Sequence, residues 1–128
     1  MTSVTLDWPH KSLSPNARKD RRAIAPIRAK YRSDCAILAK QAGLRFPHLT
    51  EAHVRITFHP PCARKRDLDN LLASIKSGLD GVSDAMGVDD SRWEITIRKG
   101  EIRRPLGAVV VEVGATTEGR FVPLKGAV

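Results

Sequence analysis

Apolar and polar residues alternate along two segments of the chain, and each alternation predicts a β-strand. The first segment carries Val54, Ile56 and Phe58, and the second carries Trp93, Ile95 and Ile97. Side chains two residues apart share one face of a strand, so both segments are typical of half-buried strands. A weaker alternation from Val4 to Trp8 ends at Pro9 and predicts a short N-terminal strand.

The clearest helical pattern lies between residues 68 and 82. Apolar residues recur there at i, i+3, i+4, i+7, i+11 and i+14: Leu68, Leu71, Leu72, Ile75, Leu79 and Val82. This period places them on one face of an amphipathic α-helix. A second helix is predicted from Arg18 to Gln41. Its regular part is expected to begin at Pro26, because proline is tolerated in a first turn.

The apolar run from Ala108 to Val113 predicts a last strand. We expect it to pair as a hairpin with the strand at Trp93, across the basic loop from Lys99 to Gly107. The order β-α-β-α-β-β predicts an α/β fold of the α+β type, a small single domain with a mixed sheet of about four strands and two main helices. This domain is expected to span residues 1–113. Residues 114–128 are expected to form a C-terminal tail, either flexible or packed on a partner subunit.

The composition gives no sign of a membrane or secreted protein. No apolar run reaches the length of a transmembrane helix, and residues 1–10 lack the charged and apolar regions of a signal peptide. Cys35 and Cys62 form neither a disulfide framework nor a zinc-binding pattern, which favours a reducing compartment. We therefore expect a cytoplasmic protein with no membrane partner.

The distribution of charge adds a candidate chemistry. The 128 residues carry a net charge of +8, and the isoelectric point near 10.1 favours a polyanionic partner such as DNA. Yet six of the 14 acidic residues lie between Asp67 and Asp90, beside a single basic residue. An acidic cluster inside a basic protein predicts a divalent-cation site where a polyanion docks, the combination that phosphodiester hydrolysis requires.

Two pairs of carboxylates define this candidate site. Asp67 and Asp69 open the apolar-striped helix, and Asp89-Asp90 precedes the second alternating strand. The pairs can converge if the chain folds back through Gly87. Carboxylate oxygens are the ligands that Mg²⁺ prefers. The alternative is structural, because acidic residues at a helix start also cap free backbone N–H groups.

Lys76 is the one basic residue of the acidic segment, and two interpretations of it stay open. It lies seven residues after Asp69, about 10 Å along the helix axis, and helical side chains tilt towards the N-terminus. Its ammonium can therefore reach back towards the carboxylates and stabilise charge on a phosphate. The alternative is a weak i,i+4 ion pair with Asp80.

Basic residues flank the acidic segment. From Lys11 to Arg45 the chain has ten Lys or Arg residues and two Asp. The predicted DNA contacts come from this stretch, from the triplet directly before Asp67 and from the basic loop: Arg18, Lys19, Arg21, Arg22, Arg64, Lys65, Arg66, Arg103 and Arg104. Such residues bind phosphate groups. An aromatic content of 5% argues against a base-stacking platform for single strands.

The segment RKRDLDNLLASIKSGLDGVSDAMGVDDS, residues 64–91, resembles the RusA family of Holliday-junction resolvases in its basic residues, its D-x-D-N at a helix start and its DD pair before a strand. The resemblance implies a magnesium-dependent endodeoxyribonuclease of DNA recombination and repair. It also implies a homodimer that makes paired symmetric nicks in a four-way junction. Asp67, Asp69 and Asp90 would hold Mg²⁺, and Asp89 would assist or cap the turn. A C₂ dimer suits a two-fold junction, because one surface is used twice.

One position departs from the family pattern. Better-known members have a catalytic lysine about one turn after the D-x-D-N asparagine, where this chain has Ala73. Lys76, three residues later, is expected to take that role from the next turn. Two alternatives stay open: a branched-DNA-binding protein without catalytic activity, for which Ala73 is the best support, and a nuclease that acts on other branched DNA.

Overall fold

The computed structural model describes residues 2–18 and 20–124, which form five strands and three α-helices. The strands are β1 (Ser3–Leu6), β2 (Ala52–His59), β3 (Trp93–Lys99), β4 (Ala108–Thr117) and β5 (Arg120–Pro123). The helices are α1 (Arg21–Gln41), α2 (Leu68–Ser74) and α3 (Lys76–Met86), with short 3₁₀ turns at Lys11–Leu13 and Asp90–Arg92. The predicted α+β class with a mixed sheet is confirmed.

The sheet has the strand order β1-β4-β2-β3, and β5 pairs with β4 beyond the end of β1. β2 and β3 run parallel, because α2 and α3 carry the chain back between them, and the other pairings are antiparallel. The predicted hairpin between β3 and β4 is wrong, since β2 lies between these two strands. Alternation indicated which face each side chain takes, but it carried no information about which strand would be the neighbour.

The two faces of the sheet differ in polarity. One face buries alternate residues of β2 and β4 completely against the helices: Val54, Ile56, Phe58, Val109, Val111 and Val113. The opposite face carries polar side chains, among them Arg55 of β2, whose guanidinium makes two hydrogen bonds of 3.0 Å to the Glu112 carboxylate of β4. The fold therefore has two layers, with helices over one face of the sheet.

α1 begins five residues before Pro26, so the prediction that the regular helix starts at this proline is wrong. Asp20 is the N-cap residue, and its carboxylate accepts a hydrogen bond from the backbone N–H of Arg22 at 3.3 Å. The cap starts the helix early enough that Pro26 falls in the second turn. The N-terminal strand is also shorter than predicted, since β1 ends at Leu6.

The apolar-striped helix is divided in two at Ile75, which has φ −101° and ψ 7°. The N–H of Ile75 donates to the carbonyl of Leu72, three residues back, at 3.2 Å, which makes a tighter turn than an α-helix. Just before it, the Ser74 hydroxyl donates to the carbonyl of Asn70 at 2.8 Å, a bond that bends helices. The stripe continues across the break, because Leu71, Ile75 and Leu79 are all buried.

The segment expected to be a tail is partly folded into the sheet. β4 runs to Thr117, four residues past the predicted domain end at 113, and β5 pairs with it from Gly114↔Pro123 to Thr117↔Arg120. Residues 125–128 of the predicted tail lie outside the described residues. Within the part of the chain that the structure describes, no helix combines the length and apolar character needed to cross a membrane.

Candidate active site

The D-x-D-N segment stands at the start of α2, after the loop that follows β2. Asp67 is the N-cap residue, yet its carboxylate accepts no capping hydrogen bond from the helix. Asp69 lies in the first turn, and both side chains are exposed. Neither carboxylate has a hydrogen bond or an ion pair with any residue that the structure describes. The capping role therefore does not account for these residues, and their oxygens are available to a ligand.

A cavity of about 370 Å³ opens beside these carboxylates. It is lined by Arg66, Asp67, Leu68, Asp69, Asn70 and Lys99. Lys99 comes from the end of β3, and its ammonium donates a hydrogen bond to the carbonyl oxygen of Arg66. Because β2 and β3 are parallel, their C-terminal ends bring the D-x-D-N segment and a cation to one edge of the sheet.

The second acidic group surrounds Lys76 at the start of α3. The Lys76 ammonium donates to the Asp80 carboxylate at 3.1 Å and also to the Asp90 carboxylate. The hydrogen bond from Lys76 holds the pKa of the Asp90 carboxyl below its usual value, and the same bond raises the pKa of Lys76. The i,i+4 pair with Asp80 is therefore present, and Lys76 is bound by both carboxylates rather than by Asp67 or Asp69.

The chain does fold back after α3, as the candidate site required. Gly87 ends the helix with φ 78°, a left-handed conformation that favours glycine. The reversal returns Asp90 to Lys76, and Asp89 accepts a hydrogen bond from the Ser91 hydroxyl at 2.8 Å. Across residues 2–18 and 20–124, no group of three or more His, Cys, Asp or Glu side chains is arranged to hold a metal ion.

The structure thus brings Asp67 together with Asp69, and Asp80 together with Asp90, but it does not gather the three predicted ligands into one group. The Asp67–Asp69 pair fits Mg²⁺ in its chemistry, because this ion uses one or two carboxylates and completes its coordination with water and substrate phosphate. Asp90 is held by an ammonium group instead. Of the three predicted ligands, Asp67 and Asp69 therefore have no side-chain partner among the described residues, whereas the charge of Asp90 is balanced by Lys76.

The basic triplet before Asp67 contains two kinds of side chain. Arg64 and Lys65 are exposed, whereas Arg66 is half-buried and supports its own loop. The Arg66 guanidinium donates to the carbonyls of Cys62 and Arg64 at 3.0 Å and lies 5.5 Å from the ring centre of Trp8. It also donates to the Cys62 sulfur at 3.2 Å and lowers the pKa of that thiol. Arg66 is thus a loop-supporting residue, whereas the Arg64 and Lys65 side chains are exposed.

A larger cavity, of about 580 Å³, adjoins the first and shares Arg66, Asp67 and Asn70 with it. One wall is the N-terminal loop: Trp8, Pro9, His10, Lys11, Ser14 and Asn16. The other side is formed by the basic triplet and by α2: Arg64, Lys65, Arg66, Leu71 and Ser74. Sequence reasoning assigned no site role to the loop residues. The sequence signal that could have pointed to them is the segment WPHKSLSPNAR, residues 8–18, which resembles the RusA pattern loosely.

The other predicted DNA contacts lie at two further places. Arg18, Arg21 and Arg22 are exposed at the N-terminal end of α1, and Lys19 lies outside the described residues. Arg103 and Arg104 are exposed in the loop between β3 and β4. Arg103 also lines a cavity of about 530 Å³ on the polar face of the sheet, together with Arg98 and Lys99. Exposed basic side chains therefore lie at the start of α1 and in the loop between β3 and β4, as well as at the candidate site.

The chain is similar to a protein of Xylella fastidiosa (strain Temecula1 / ATCC 700964) that is described as an uncharacterized protein. The two are 38% identical over 122 residues, which cover 92% of this chain and 79% of that protein. The chain therefore belongs to the same protein family as this Xylella protein. No family model matches the chain.

Proposed function

We propose that this protein is a magnesium-dependent, structure-specific endodeoxyribonuclease that resolves Holliday junctions, as the resemblance to the RusA family implies. One observation carries the proposal. Asp67 and Asp69 present two unpartnered carboxylates, among the described residues, in a cavity that also holds Asn70 and Lys99. A structural N-cap residue would use its carboxylate to accept hydrogen bonds from the backbone N–H groups of the helix. A catalytic metal site instead needs carboxylates without such partners.

The side chains around this cavity have separable tasks in phosphodiester hydrolysis. Mg²⁺ bound by Asp67 and Asp69 would supply an activated water and would stabilise the charge of the pentavalent phosphate. The Asn70 amide can donate hydrogen bonds to a phosphate oxygen from the same cavity. Lys99 and the exposed Arg64 and Lys65 place positive charge along the path of the DNA backbone.

Asp90 and Lys76 belong to the proposed site as a coupled pair. The Lys76 ammonium is charged at neutral pH, and its hydrogen bond to Asp90 raises its pKa further, so it is suited to stabilise phosphate charge. Asp90 remains the expected third ligand by its place in the family pattern. We propose that the protein acts in the cytoplasm as a homodimer, so that two such sites cut two symmetric strands.

A second candidate, a branched-DNA-binding protein without catalytic activity, is favoured by the Lys76 contacts. The ammonium that would replace the lysine absent at Ala73 is held by Asp80 and Asp90. In this alternative the acidic residues only balance local charge, and Mg²⁺ would affect binding only through ionic strength. A nuclease for other branched DNA would share the site and differ in its substrate.

The first experiment compares a labelled four-way junction with a linear duplex of matched sequence, each incubated with the full chain in Mg²⁺ or in EDTA. We expect paired symmetric nicks in the junction only, and only with Mg²⁺. Tight junction binding without cleavage in any divalent metal would instead support the binding protein. Cleavage of flaps or nicked duplexes in preference to junctions would identify the third candidate.

Asp69→Asn tests the residue assignment in the same assay. The amide cannot supply the negative charge that a metal needs, so we expect cleavage to be lost and junction binding to persist. Asp34→Asn is the matched control, because Asp34 is paired with Lys30 at 2.6 Å on α1, away from the cavity. Cleavage at the wild-type rate by a folded Asp69→Asn protein would remove Asp69 from the site.

A further inference from the structure

The outer side of β3 is the longest open edge of the sheet among the described residues. β3 has seven residues and pairs with β2 alone, whereas β1 and β5 at the other side have four residues each. Five of its residues are exposed: Glu94, Ile95, Thr96, Arg98 and Lys99. An open edge of this length is a template for pairing with another strand.

The backbone groups of β3 point alternately to β2 and to this edge. The N–H of Gly100, directly after β3, donates to the carbonyl of Phe58 at 2.8 Å, and the parallel register pairs Phe58 with Lys99. In a parallel ladder with this register, the even-numbered residues of β3 bond to β2, and the odd-numbered residues point outward. Their N–H and C=O groups are therefore available for a second strand, except the N–H of Trp93, which donates to the carbonyl of Asp90.

β3 is self-complementary in one antiparallel register, in which Thr96 meets Thr96 of a second copy. Ile95 then lies opposite Ile97, and Trp93 lies opposite Lys99, so outward-pointing backbone groups face one another. Glu94 lies opposite Arg98 in both halves of this arrangement. Such non-hydrogen-bonded pairs bring Cα atoms to about 4.5 Å, close enough for opposite charges to attract.

The side chains of the edge fit this register. Glu94 accepts a hydrogen bond from the Thr116 hydroxyl at 2.6 Å, and Arg98 donates through Nε to the Thr57 hydroxyl at 2.9 Å. These bonds orient both charges on the polar face of the sheet while leaving them exposed. On the other face, Ile95 is 41% exposed. A shift of two residues would place Glu94 opposite Thr96 or Gly100 and remove both ion pairs.

We infer that the open edge of β3 is a homodimer interface, at which two copies of this chain pair antiparallel about Thr96 and join their sheets into one. About six backbone hydrogen bonds would form across the two-fold axis, because the N–H of Trp93 is bonded to Asp90 in each copy. The interface also matches two ion pairs and covers two exposed isoleucines. This inference rests on the homodimer of the proposed function and names its surface. Dimerisation is measured without DNA or magnesium, so its failure can be distinguished from a failure of the nuclease activity.

A charge exchange across the interface gives the first test. Glu94→Arg places two arginines opposite each other, and Arg98→Glu places two glutamates opposite each other. The double variant restores both ion pairs with their signs reversed. Sedimentation equilibrium of the full chain should show a dimer that each single change weakens about tenfold or more and that the double change restores. Thr5→Arg is the matched control, since Thr5 is exposed on β1 at the other side of the sheet.

A cysteine at the two-fold axis gives the second test and does not depend on the charged variants. In a Cys62→Ser background, Thr96→Cys should form a covalent dimer on mild oxidation, because the Cα separation in such a pair is within disulfide range. Thr5→Cys should not. A monomer at the highest soluble concentration overturns the inference. So does a dimer that is insensitive to both charge changes and is not captured by Thr96→Cys.

Discussion

The two acidic groups of this protein, Asp67 with Asp69 and Asp80 with Asp90, come from one segment of sequence but have opposite electrostatic surroundings. Asp67 and Asp69 are exposed in a cavity and have no side-chain partner among the described residues. Asp80 and Asp90 share the ammonium of Lys76. The difference shows that a count of carboxylates does not distinguish the unpartnered group from the paired one. The placement of a single lysine separates them.

The largest effect should follow from removing one charge from the unpartnered group. Asp67→Asn should lower junction cleavage by about 100-fold or more, because the proposed metal site loses one of its two charged ligands. Its free energy of unfolding should change by less than about 0.5 kcal/mol, since no hydrogen bond is lost. Cleavage kinetics and urea unfolding measure the two quantities. A large loss of stability would show that the carboxylate has a structural partner after all.

Lys76→Met removes the ammonium that distinguishes the second group. We expect cleavage to fall about tenfold while junction affinity stays within about twofold, because the ammonium stabilises phosphate charge without anchoring the DNA. Single-turnover kinetics and a binding titration separate these effects. Unchanged cleavage would assign Lys76 to the ion pairs alone and leave another cation, such as Lys65, for the phosphate.

The paired group should matter more for stability than the unpartnered group. Asp90→Asn removes one partner of Lys76, and we expect a loss of up to about 1 kcal/mol in the free energy of unfolding, the upper range for exposed ion pairs. If urea unfolding gives equal losses of unfolding free energy for Asp67→Asn and Asp90→Asn, the two groups do not differ in their contribution to stability.

A cation beside the unpartnered group should also contribute to DNA binding. Lys65 is exposed beside the unpartnered group, so Lys65→Ala should reduce the slope of log K against log salt for duplex binding by about 0.9. Lys40→Ala, an exposed lysine in the last turn of α1, is the matched control and should leave the slope unchanged. Titrations at four or five salt concentrations measure both slopes.

The smallest effect is a pH dependence that belongs to the paired group. Asp90 has a lowered pKa in the folded state, so its contribution to stability is present above its ordinary value of 3.8 and is lost as the pH falls through the folded value. The raised pKa of Lys76 gives a contribution that is present below 10.5 and is lost only as the pH rises through the folded value. Unfolding at pH 3 and pH 7 should therefore differ more for wild type than for Asp90→Asn.

Much of the fold follows from local patterns, because these patterns report burial. The alternation at Val54, Ile56 and Phe58 correctly identified the core of the sheet, and the stripe from Leu68 to Val82 correctly identified a helical segment packed in that core, which forms α2 and α3. The break at Ile75 was not predictable from the stripe, since Ile75 occupies a correct apolar position. Nor was the parallel pairing of β2 and β3, which depends on contacts between segments that are distant in sequence.

The candidate site was predictable in composition but not in geometry. The D-x-D-N pattern identified two carboxylates and an amide that do share one cavity. The return of Asp90 to Lys76, 14 residues away, depends on the reversal at Gly87 and on the length of α3. Asp67 makes no capping hydrogen bond because of the orientation of its side chain. The spacing of residues along the sequence gives no information about that orientation.

The contact between α1 and α3 has a mechanical consequence for this arrangement. At Gly81 the helices approach so closely that an added Cβ would lie 2.2 Å from the carbonyl oxygen of Arg32 and 3.0 Å from the backbone nitrogen of Ala36. The gap between the two helices is therefore set by rigid backbone atoms and not by side chains that can rearrange. A larger residue at Gly81 would act as a spacer, moving the helix that carries Arg21 and Arg22 away from the acidic helix without altering a single charge.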